Sequence, residues 1–330
     1  MLLALALAVG IADWVPARWL SGDPKSLELL DGTPINCVLL EPGAWSPDLA
    51  RQAAARGIVT LGVLHPGAEP LEAARRAVES NFDGMVLEGA FEPAVVEGVR
   101  EALGGKLLVE LPPRRRMRLD SATPLVGTYQ GLWAGIQVQE GGAAKARPTG
   151  GPWIDTNSGF LRFLKTATEA SIWVAHLPPP KTVLPVERYL NAISDAEVLG
   201  ARWVVALDEG FSRRLLTREA RALADWKRIA AHLRFYEEHK EWRALKPYSR
   251  LALVEDASTS GLLSRGILDM FIGRHIPVRP VPASRLNKAA LQGARMAVTV
   301  DPSVLNDAQK EALRDVGRAG GTLLTGPPGW

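Results

Sequence analysis

Short apolar runs alternate with amphipathic helical segments over roughly the first 210 residues. The strand-like runs fall at about 13–18, 35–41, 58–65, 84–88, 106–111, 133–139, 171–176 and 202–208. Helical patterns occupy most of the intervals, among them 46–57, 70–82 and 92–105. Apolar strands that alternate with helices favour a parallel sheet with both faces covered. Eight such units predict a small (β/α)8 TIM barrel, in which the crossover at 112–132 is the least regular.

The remaining third of the chain repeats the alternation after a long helical stretch at about 217–245. Strand-like runs at 250–256, 276–281, 294–300 and 321–328 are separated by predicted helices at about 260–274, 284–292 and 306–319. This pattern predicts a small flavodoxin-like, doubly wound domain at 247–330, after a barrel with a linker helix at 13–246. Open α/β domains usually continue into another helix, so we expect the natural chain to extend beyond Trp330.

The first twelve residues, MLLALALAVGIA, form an apolar run of the length of a signal-peptide core. Small residues precede a candidate cleavage point after Ala12, although no basic residues precede the run. The run is too short to span a bilayer, so we expect no stable membrane insertion. We therefore expect a signal segment at 1–12 and a secreted or periplasmic protein. If the run is instead a core strand, the protein is expected to be cytoplasmic.

Composition excludes several classes of protein. Hydrophobic residues make up 47% and charged residues 23% of the chain, which disfavours both disorder and a membrane bundle. The 39 basic and 36 acidic residues are too nearly balanced to indicate a nucleic-acid partner. Cys37 is the single cysteine, so the chain has no internal disulfide, and its apolar surroundings predict a core thiol.

Several apolar runs end in a carboxylate, namely Glu41, Glu88, Glu110 and Asp208. The carboxyl ends of barrel strands share one face, and sites are built there. Alternation along 203–208 and 84–88 places Asp208 and Glu88 on the lumen side, so we predict these two as catalytic residues. Two carboxylates are what glycoside hydrolysis needs. The alternative role for each acid is to cap a helix or to pair with a basic residue.

Other side chains near the same predicted face are candidates for binding a sugar. Indole faces stack on sugars, and the segment 150–160 combines glycines with an indole, a carboxylate and an amide. The predicted substrate-binding residues are Glu41, Glu110, Asp155, Asn157, Trp45, Trp133, Trp153, His65, His176, Gln137 and Gln139. The alternatives are core packing for the tryptophans, helix capping for Asp155 and Asn157, and structural roles for the histidines.

The predicted order of barrel, long helix and flavodoxin-like domain resembles the β-galactosidases that carry a trimerisation domain. The segments that carry the resemblance are WVVALDEG (203–210), GPWIDTNSG (151–159), YSRLALVEDAST (248–259) and IPVRPV (276–281). In that family the second domain resembles a glutamine amidotransferase without its catalytic residues, and here 247–330 contains no Cys. The resemblance implies a carbohydrate ligand and a homo-oligomer formed through the second domain.

The chain departs from that family at both catalytic positions. The family places a Glu after an Asn at the end of strand four and a second Glu at the end of strand seven. Here Leu87 precedes Glu88, and His176 follows the seventh run. Only Glu88 carries over, as the acid/base, so either another carboxylate acts or the protein is not a hydrolase.

We therefore expect a glycoside hydrolase, with a non-catalytic carbohydrate-binding barrel as the first alternative. A metal-dependent hydrolase is the second alternative, but the sequence contains no HxH or HExxH spacing, and we predict no metal and no cofactor. The basic run PPRRRMR at 112–118 is suited either to binding an acidic sugar or to forming a solvated loop.

Overall fold

The structure is a computed structural model that describes residues 10–67, 69–119, 123–133, 137–140, 143–146, 156–255 and 262–326, with only the backbone of 137–140, 143–146 and 262–265. Its strands are β1 Pro16–Trp19, β2 Cys37–Leu40, β3 Val59–Leu64, β4 Gly84–Glu88, β5 Leu107–Leu111, β6 Leu125–Thr128, β7 Gln137–Glu140, β8 Ala143–Ala146, β9 Ser171–Val174, β10 Thr182–Val183, β11 Ala201–Trp203, β12 Leu251–Glu255, β13 Arg279–Pro282, β14 Met296–Thr299 and β15 Thr322–Thr325. Its helices are α1 Pro47–Ala55, α2 Pro70–Glu79, α3 Pro93–Ala102, α4 Ser158–Ala167, α5 Val186–Glu197, α6 Glu209–Leu216, α7 Ala220–Glu238, α8 Leu262–Gly273 and α9 Asp307–Arg318.

Eight parallel strands follow one another around a ring. One sheet has the order β1-β2-β3-β4-β5 and a second has the order β11-β9-β6. The two sheets meet on one side, where Arg18 N donates to Val205 O at 2.8 Å and Val205 N donates to Pro16 O at 3.0 Å. On the other side β5 lies beside β6. The prediction of an α/β fold with parallel sheets is confirmed.

Because side chains along a strand point alternately to its two faces, the ring of strands has one apolar layer inside it and another outside it. Side chains inside the ring pack against one another and include Cys37, Leu39, Leu61, Val63, Val86, Trp173 and Val204. Their sequence neighbours face the helices and include Val38, Leu40, Met85, Leu87, Trp203 and Val205. The interior is therefore a packed core and not a channel. Cys37 is fully buried in it, as predicted, and burial raises the pKa of its thiol.

The prediction of the sixth strand at 133–139 is wrong. The sixth strand of the ring is β6, and β7 belongs instead to a small antiparallel sheet with the order β10-β7-β8. β6 has the sequence LVGT, which offers only two apolar side chains before Gly127. A Cβ at Gly127 would lie 2.3 Å from Leu111 Cδ2, so the inward-facing side chain of Leu111 fills the space beside this glycine. With a glycine at this position, β6 lacks the apolar pattern on which the prediction relied.

The last third of the described chain forms a four-stranded parallel sheet with the order β13-β12-β14-β15. It follows α7 and a 3₁₀ turn at Lys240–Ala244, which together correspond to the predicted long helix. α4 of the ring packs against β13 and α8. The predicted helix at 284–292 is not formed, since Ala283–Arg285 form a 3₁₀ turn and residues 288–293 form turns that do not continue into a helix.

The start of the chain lies mostly outside the described residues. Of the predicted signal segment only Gly10, Ile11 and Ala12 are described, and Ile11–Asp13 form a 3₁₀ turn that leads directly into β1. Within the described part of the chain, no helix has both the length and the apolar character needed to cross a membrane.

Gly84 opens β4 and provides a test of the strand spacing. A Cβ at this position would lie 2.3 Å from Leu107 O and 2.8 Å from Leu107 Cβ. Because backbone cannot turn aside as a side chain can, Gly84→Ala should push β4 and β5 apart and lower the free energy of unfolding by about 1–3 kcal/mol. Urea denaturation measures this loss.

Gly43→Ala is the matched control, because a Cβ at Gly43 would meet nothing within 4 Å. Its effect on the free energy of unfolding should stay within about 0.5 kcal/mol. Equal stability of the two variants would contradict the close contact between β4 and β5.

Candidate functional site

Four charged side chains from neighbouring strands meet at the mouth of the ring. Arg18 lies in β1, Glu41 directly follows β2, His65 directly follows β3, and Glu88 ends β4. Because the strands are parallel, these positions come together at their common carboxyl end. Three of the four were predicted site residues. The sequence prediction missed Arg18, whose signal is a single Arg inside the apolar run 14–20.

Arg18 is the centre of this group. Its Nη1 donates to Glu41 Oε1 at 2.8 Å, and its Nη2 donates to Glu88 Oε2 and to the carbonyl of Ala175 at 3.1 Å. The Arg18 side chain is only 2% exposed. A buried charge is tolerated when it is paired and hydrogen-bonded, so Arg18 can occupy this buried position only because it makes these contacts. One guanidinium therefore joins β1, β2, β4 and the residue that follows β9.

His65 lies between the two carboxylates. Its Nε2 is 2.9 Å from Glu41 Oε2, and its Nδ1 is 4.0 Å from Glu88 Oε1. The hydrogen bond with Glu41 raises the pKa of His65 against the opposing effect of burial. For Glu41, burial acts to raise the pKa. The hydrogen bond from His65 and the charge of Arg18 together outweigh burial, so the pKa of Glu41 is lowered.

Glu88 differs from Glu41 in the direction of its shift. Its side chain is 6% exposed, against 28% for Glu41. Burial raises the pKa of Glu88, and the charge and hydrogen bond of Arg18 oppose this rise without cancelling it. The pKa values of these two carboxyl groups, which share one guanidinium, are therefore shifted in opposite directions. Environments that separate two carboxyl pKa values in this way are the usual basis of an acid and a base at one site.

The other half of the mouth is formed by residues that follow β5, β6 and β9. His176 Nδ1 lies 3.2 Å from the carbonyl of Tyr129. Because a carbonyl only accepts, the proton is on Nδ1, and Nε2 of the neutral ring is an acceptor. Burial lowers the pKa of His176, which favours the neutral form. Arg114 Nε donates to the carbonyl of Gln130 at 3.0 Å, and Arg114 N donates to Gln130 Oε1 at 2.8 Å.

Asn157 was predicted to bind substrate, and the structure gives it a supporting position. It is buried, and its Oδ1 accepts from Leu132 N at 2.9 Å and from Arg114 Nη2 at 3.2 Å. Its Nδ2 donates to Leu132 O at 3.0 Å. The alternative role, a side-chain cap on α4, is not adopted. Asn157 therefore fixes the loop after β6 beside Arg114.

Asp208 was predicted as the second catalytic carboxylate. The structure places it at the N-terminus of α6, where Oδ1 accepts from Phe211 N at 2.8 Å. Oδ2 accepts from Tyr189 Oη at 2.8 Å and from Leu184 N at 3.3 Å. The alternation correctly predicts that Val204 faces the lumen. The strand ends at Trp203, however, so the alternation does not extend as far as Asp208. The carboxylate serves as a buried helix cap, which is the alternative role named above.

Glu110 and two of the tryptophans are held in contacts with other parts of the protein. Val109 and Leu111 point into the ring, so Glu110 points outward, where its Oε1 is 3.6 Å from Arg100 Nη2. Trp45 donates from Nε1 to Leu40 O at 2.8 Å. Trp133 is 3% exposed and packs edge-on against other rings, so it offers no face to a sugar.

The remaining predicted residues are outside what the structure describes. Trp153 and Asp155 lie in an undescribed stretch, and Gln137 and Gln139 belong to β7, of which only the backbone is described. Across the described residues, no group of three or more His, Cys, Asp and Glu side chains is arranged to hold a metal ion. The metal-dependent alternative therefore has no ligand set among them.

Comparisons with known proteins find distant similarity to solved structures. No protein-family model and no curated protein matches the chain. Two mutant tryptophan synthase α-subunits from Pyrococcus furiosus are 13% and 14% identical, with a TM-score of 0.39, and cover 68% of this chain and 98% of their own. UMP synthase from Leishmania donovani is 10% identical, with a TM-score of 0.39, over 98% of this chain and 86% of its own. None of the three is named as a glycoside hydrolase or an amidotransferase, so they give the β-galactosidase resemblance no support.

The capping role of Asp208 predicts a loss of stability. Asp208→Ala removes the cap of α6 and leaves the hydroxyl of Tyr189 and two backbone N–H groups without their acceptor. We expect the free energy of unfolding to fall by about 2–4 kcal/mol in urea denaturation. Asn306→Ala, which removes an exposed cap from α9, should cost only about 1 kcal/mol. Similar losses in the two variants would contradict a buried, fully bonded Asp208.

The pairing of His65 with Glu41 predicts the direction of a histidine titration. Glu41→Gln removes the negative charge that stabilises the protonated imidazole, so the pKa of His65 should fall. A proton NMR titration of the imidazole ring measures it. Glu28→Gln, at an exposed glutamate that pairs with Arg218, is the control and should leave the His65 pKa unchanged.

The same pair predicts a stability change that depends on pH. The folded-state pKa of His65 is raised above its unfolded value of about 6.5. Its contribution is fully present below that unfolded value and is lost as the pH rises through the folded value. His65→Asn should therefore lower the free energy of unfolding at about pH 5.5 and have much less effect at about pH 9. An equal loss at both pH values would show that packing, and not charge, is responsible.

Proposed function

We propose that the protein hydrolyses glycosidic bonds with Glu88 as the acid and Glu41 as its ionised partner. The observation that carries this proposal is the meeting of two carboxyl groups on the shared guanidinium of Arg18 at one mouth, with Glu88 buried and Glu41 partly exposed. In these surroundings the pKa of Glu88 is raised and the pKa of Glu41 is lowered. Glycoside hydrolysis uses one protonated and one ionised carboxyl group. Glu41 takes the place of Asp208 in the predicted pair, because the oxygens of Asp208 serve to cap α6.

Each residue of the group has a definite task in this reaction. Glu88 donates its proton to the leaving oxygen while Glu41 accepts a proton from the attacking water, so charge is conserved over the step. Arg18 holds both carboxyl groups in position and helps keep Glu41 ionised. His65 contacts Glu41 and lies near Glu88, in position to return the proton after each turnover.

The architecture supports the proposal at the level of fold. The closed order of eight parallel strands corresponds to a (β/α)8 barrel, whose sites are built at the carboxyl ends of the strands. The sheet order β13-β12-β14-β15 corresponds to the first four strands of a flavodoxin-like domain, which supports the division at 246 and 247. Secretion, an amidotransferase-like origin of the second domain and oligomerisation through it stay predictions.

A specific observation favours the second candidate, a non-catalytic carbohydrate-binding barrel. Both carboxylates are engaged by Arg18, and a carboxylate held by a guanidinium is less free to exchange protons. Such a mouth could still bind sugar hydroxyl groups without cleaving the glycan. Turnover separates the two candidates.

An activity screen on aryl glycosides and plant or microbial glycans tests the proposal. Glu88→Gln and Glu41→Gln should each lower kcat by about a hundredfold or more. The rate should follow a bell-shaped pH profile whose acid limb reflects Glu41 and whose alkaline limb reflects Glu88. Glu97→Gln, at an exposed glutamate of α3 that pairs with Arg100, is the matched control and should leave kcat unchanged.

Three outcomes are decisive. Turnover that depends on both carboxyl groups supports the hydrolase. Glycan binding without turnover of any substrate makes the hydrolase proposal wrong and favours the binding barrel. Turnover that survives in both variants would place the catalytic groups elsewhere in the chain.

A further inference from the structure

Three consecutive arginines follow β5, the strand that pairs with the Glu88 strand β4. Glu88 pairs in register with Leu111 at the end of β5. The 3₁₀ turn Arg114–Arg116 begins three residues later, within the connection from β5 to β6. The basic run noted in the sequence therefore lies at the carboxyl end of the strands, on the side where the candidate acid is found.

The first arginine anchors the turn. Arg114 bonds to the backbone and side chain of Gln130, donates to Asn157, and stacks over Phe160 with its guanidinium carbon 3.9 Å from the ring centroid. An arginine held by several contacts keeps its segment in one position. Arg114 therefore has a structural role, whereas the next two arginines are exposed to solvent.

The second and third arginines carry charge that the protein itself compensates only weakly. Both are exposed. Arg116 Nη1 lies 3.6 Å from Glu92 Oε1, with the two side chains 48% and 76% exposed, and such a surface pair contributes little. No described residue forms an ion pair or hydrogen bond with Arg115. Glu92 directly precedes α3 in the connection from β4, so Arg116 lies beside the segment that follows Glu88.

The carboxylates of the mouth do not cancel this charge. Glu41 and Glu88 already face Arg18 and His65. The chain as a whole is nearly balanced, with 39 basic and 36 acidic residues, so a cluster of three arginines does not follow from its overall composition. A guanidinium offers a planar fork of donors that matches carboxylate and sulfate groups.

We propose that the ligand of this mouth is an anionic glycan, whose carboxylate or sulfate groups bind Arg115 and Arg116 next to the sugar held at Glu88. This inference rests on the proposed function for the identity of the ligand as a glycan. It adds the chemical class of the substrate and assigns a specificity role to two residues that take no part in bond cleavage.

Calorimetric titration of the full chain tests the proposal without any need for turnover. The probes are an oligogalacturonate, a sulfated oligosaccharide, a neutral glucan of similar length and a single-stranded oligonucleotide of matched charge. We expect one of the two anionic glycans to bind more tightly than the glucan, with an affinity that falls as salt is added. The carboxylated and sulfated arms distinguish the two sources of negative charge.

The double variant Arg115→Ala/Arg116→Ala should lower affinity for the anionic glycan about tenfold or more and leave affinity for the neutral glucan unchanged. The control is Arg51→Ala/Arg75→Ala, which removes two exposed arginines from the outer helices α1 and α2 and alters the net charge equally. An equal loss in both double variants would show a general charge effect and overturn the proposal.

Other results also overturn it. Equal binding of glucan and anionic glycans, no binding of any glycan, or preference for the oligonucleotide each contradicts an anionic-glycan site. The two proposals fail separately. An anionic glycan that binds through Arg115 and Arg116 but is never cleaved refutes only the hydrolase, whereas cleavage of neutral glycans with no effect of the double variant refutes only the anionic substrate.

Discussion

The burial of one arginine is the constraint on which the mouth of the ring depends. Below Arg18 the interior is apolar and filled, so its guanidinium has no solvent to turn to. A charge in that position is tolerated only when it is paired on several sides, and here the partners come from three other strand ends. Positions that are far apart in the sequence are therefore brought into one group by the requirement to satisfy a single side chain.

The same arrangement explains why two chemically identical side chains differ. Glu41 and Glu88 both receive a hydrogen bond from Arg18, so the guanidinium alone cannot separate them. The difference comes from solvent and from His65: Glu41 is more exposed and is bonded to the imidazole, whereas Glu88 is almost fully buried. The depth of the two side chains in the mouth therefore goes with their opposite pKa shifts, since Glu88 is still within its strand and Glu41 is just beyond it.

Apolar runs predicted seven of the eight ring strands because each carries enough large side chains to mark it. β6 was not predicted because Gly127 gives it no apolar side chain at an inward-facing position, and the side chain of Leu111 occupies that space. The strand-end rule predicted Glu41, His65 and Glu88, which the structure brings together at the mouth. It also predicted Asp208, because the sequence does not show that Tyr189 and the first turn of α6 take up its oxygens. The rule missed Arg18. A charge inside an apolar run is stable only when other groups pair with it, and the partners of Arg18 are distant from it in the sequence.

The mouth divides into two halves with different physical character. Residues in or directly after β1 to β4 carry charges that compensate one another. Residues after β5, β6 and β9 form a hydrogen-bonded frame, in which Asn157 and Gln130 hold Arg114. The register pair of Glu88 and Leu111 joins the two halves. The two halves are also linked by charge, because burial lowers the pKa of His176 and the charges of both Arg114 and Arg18 lower it further.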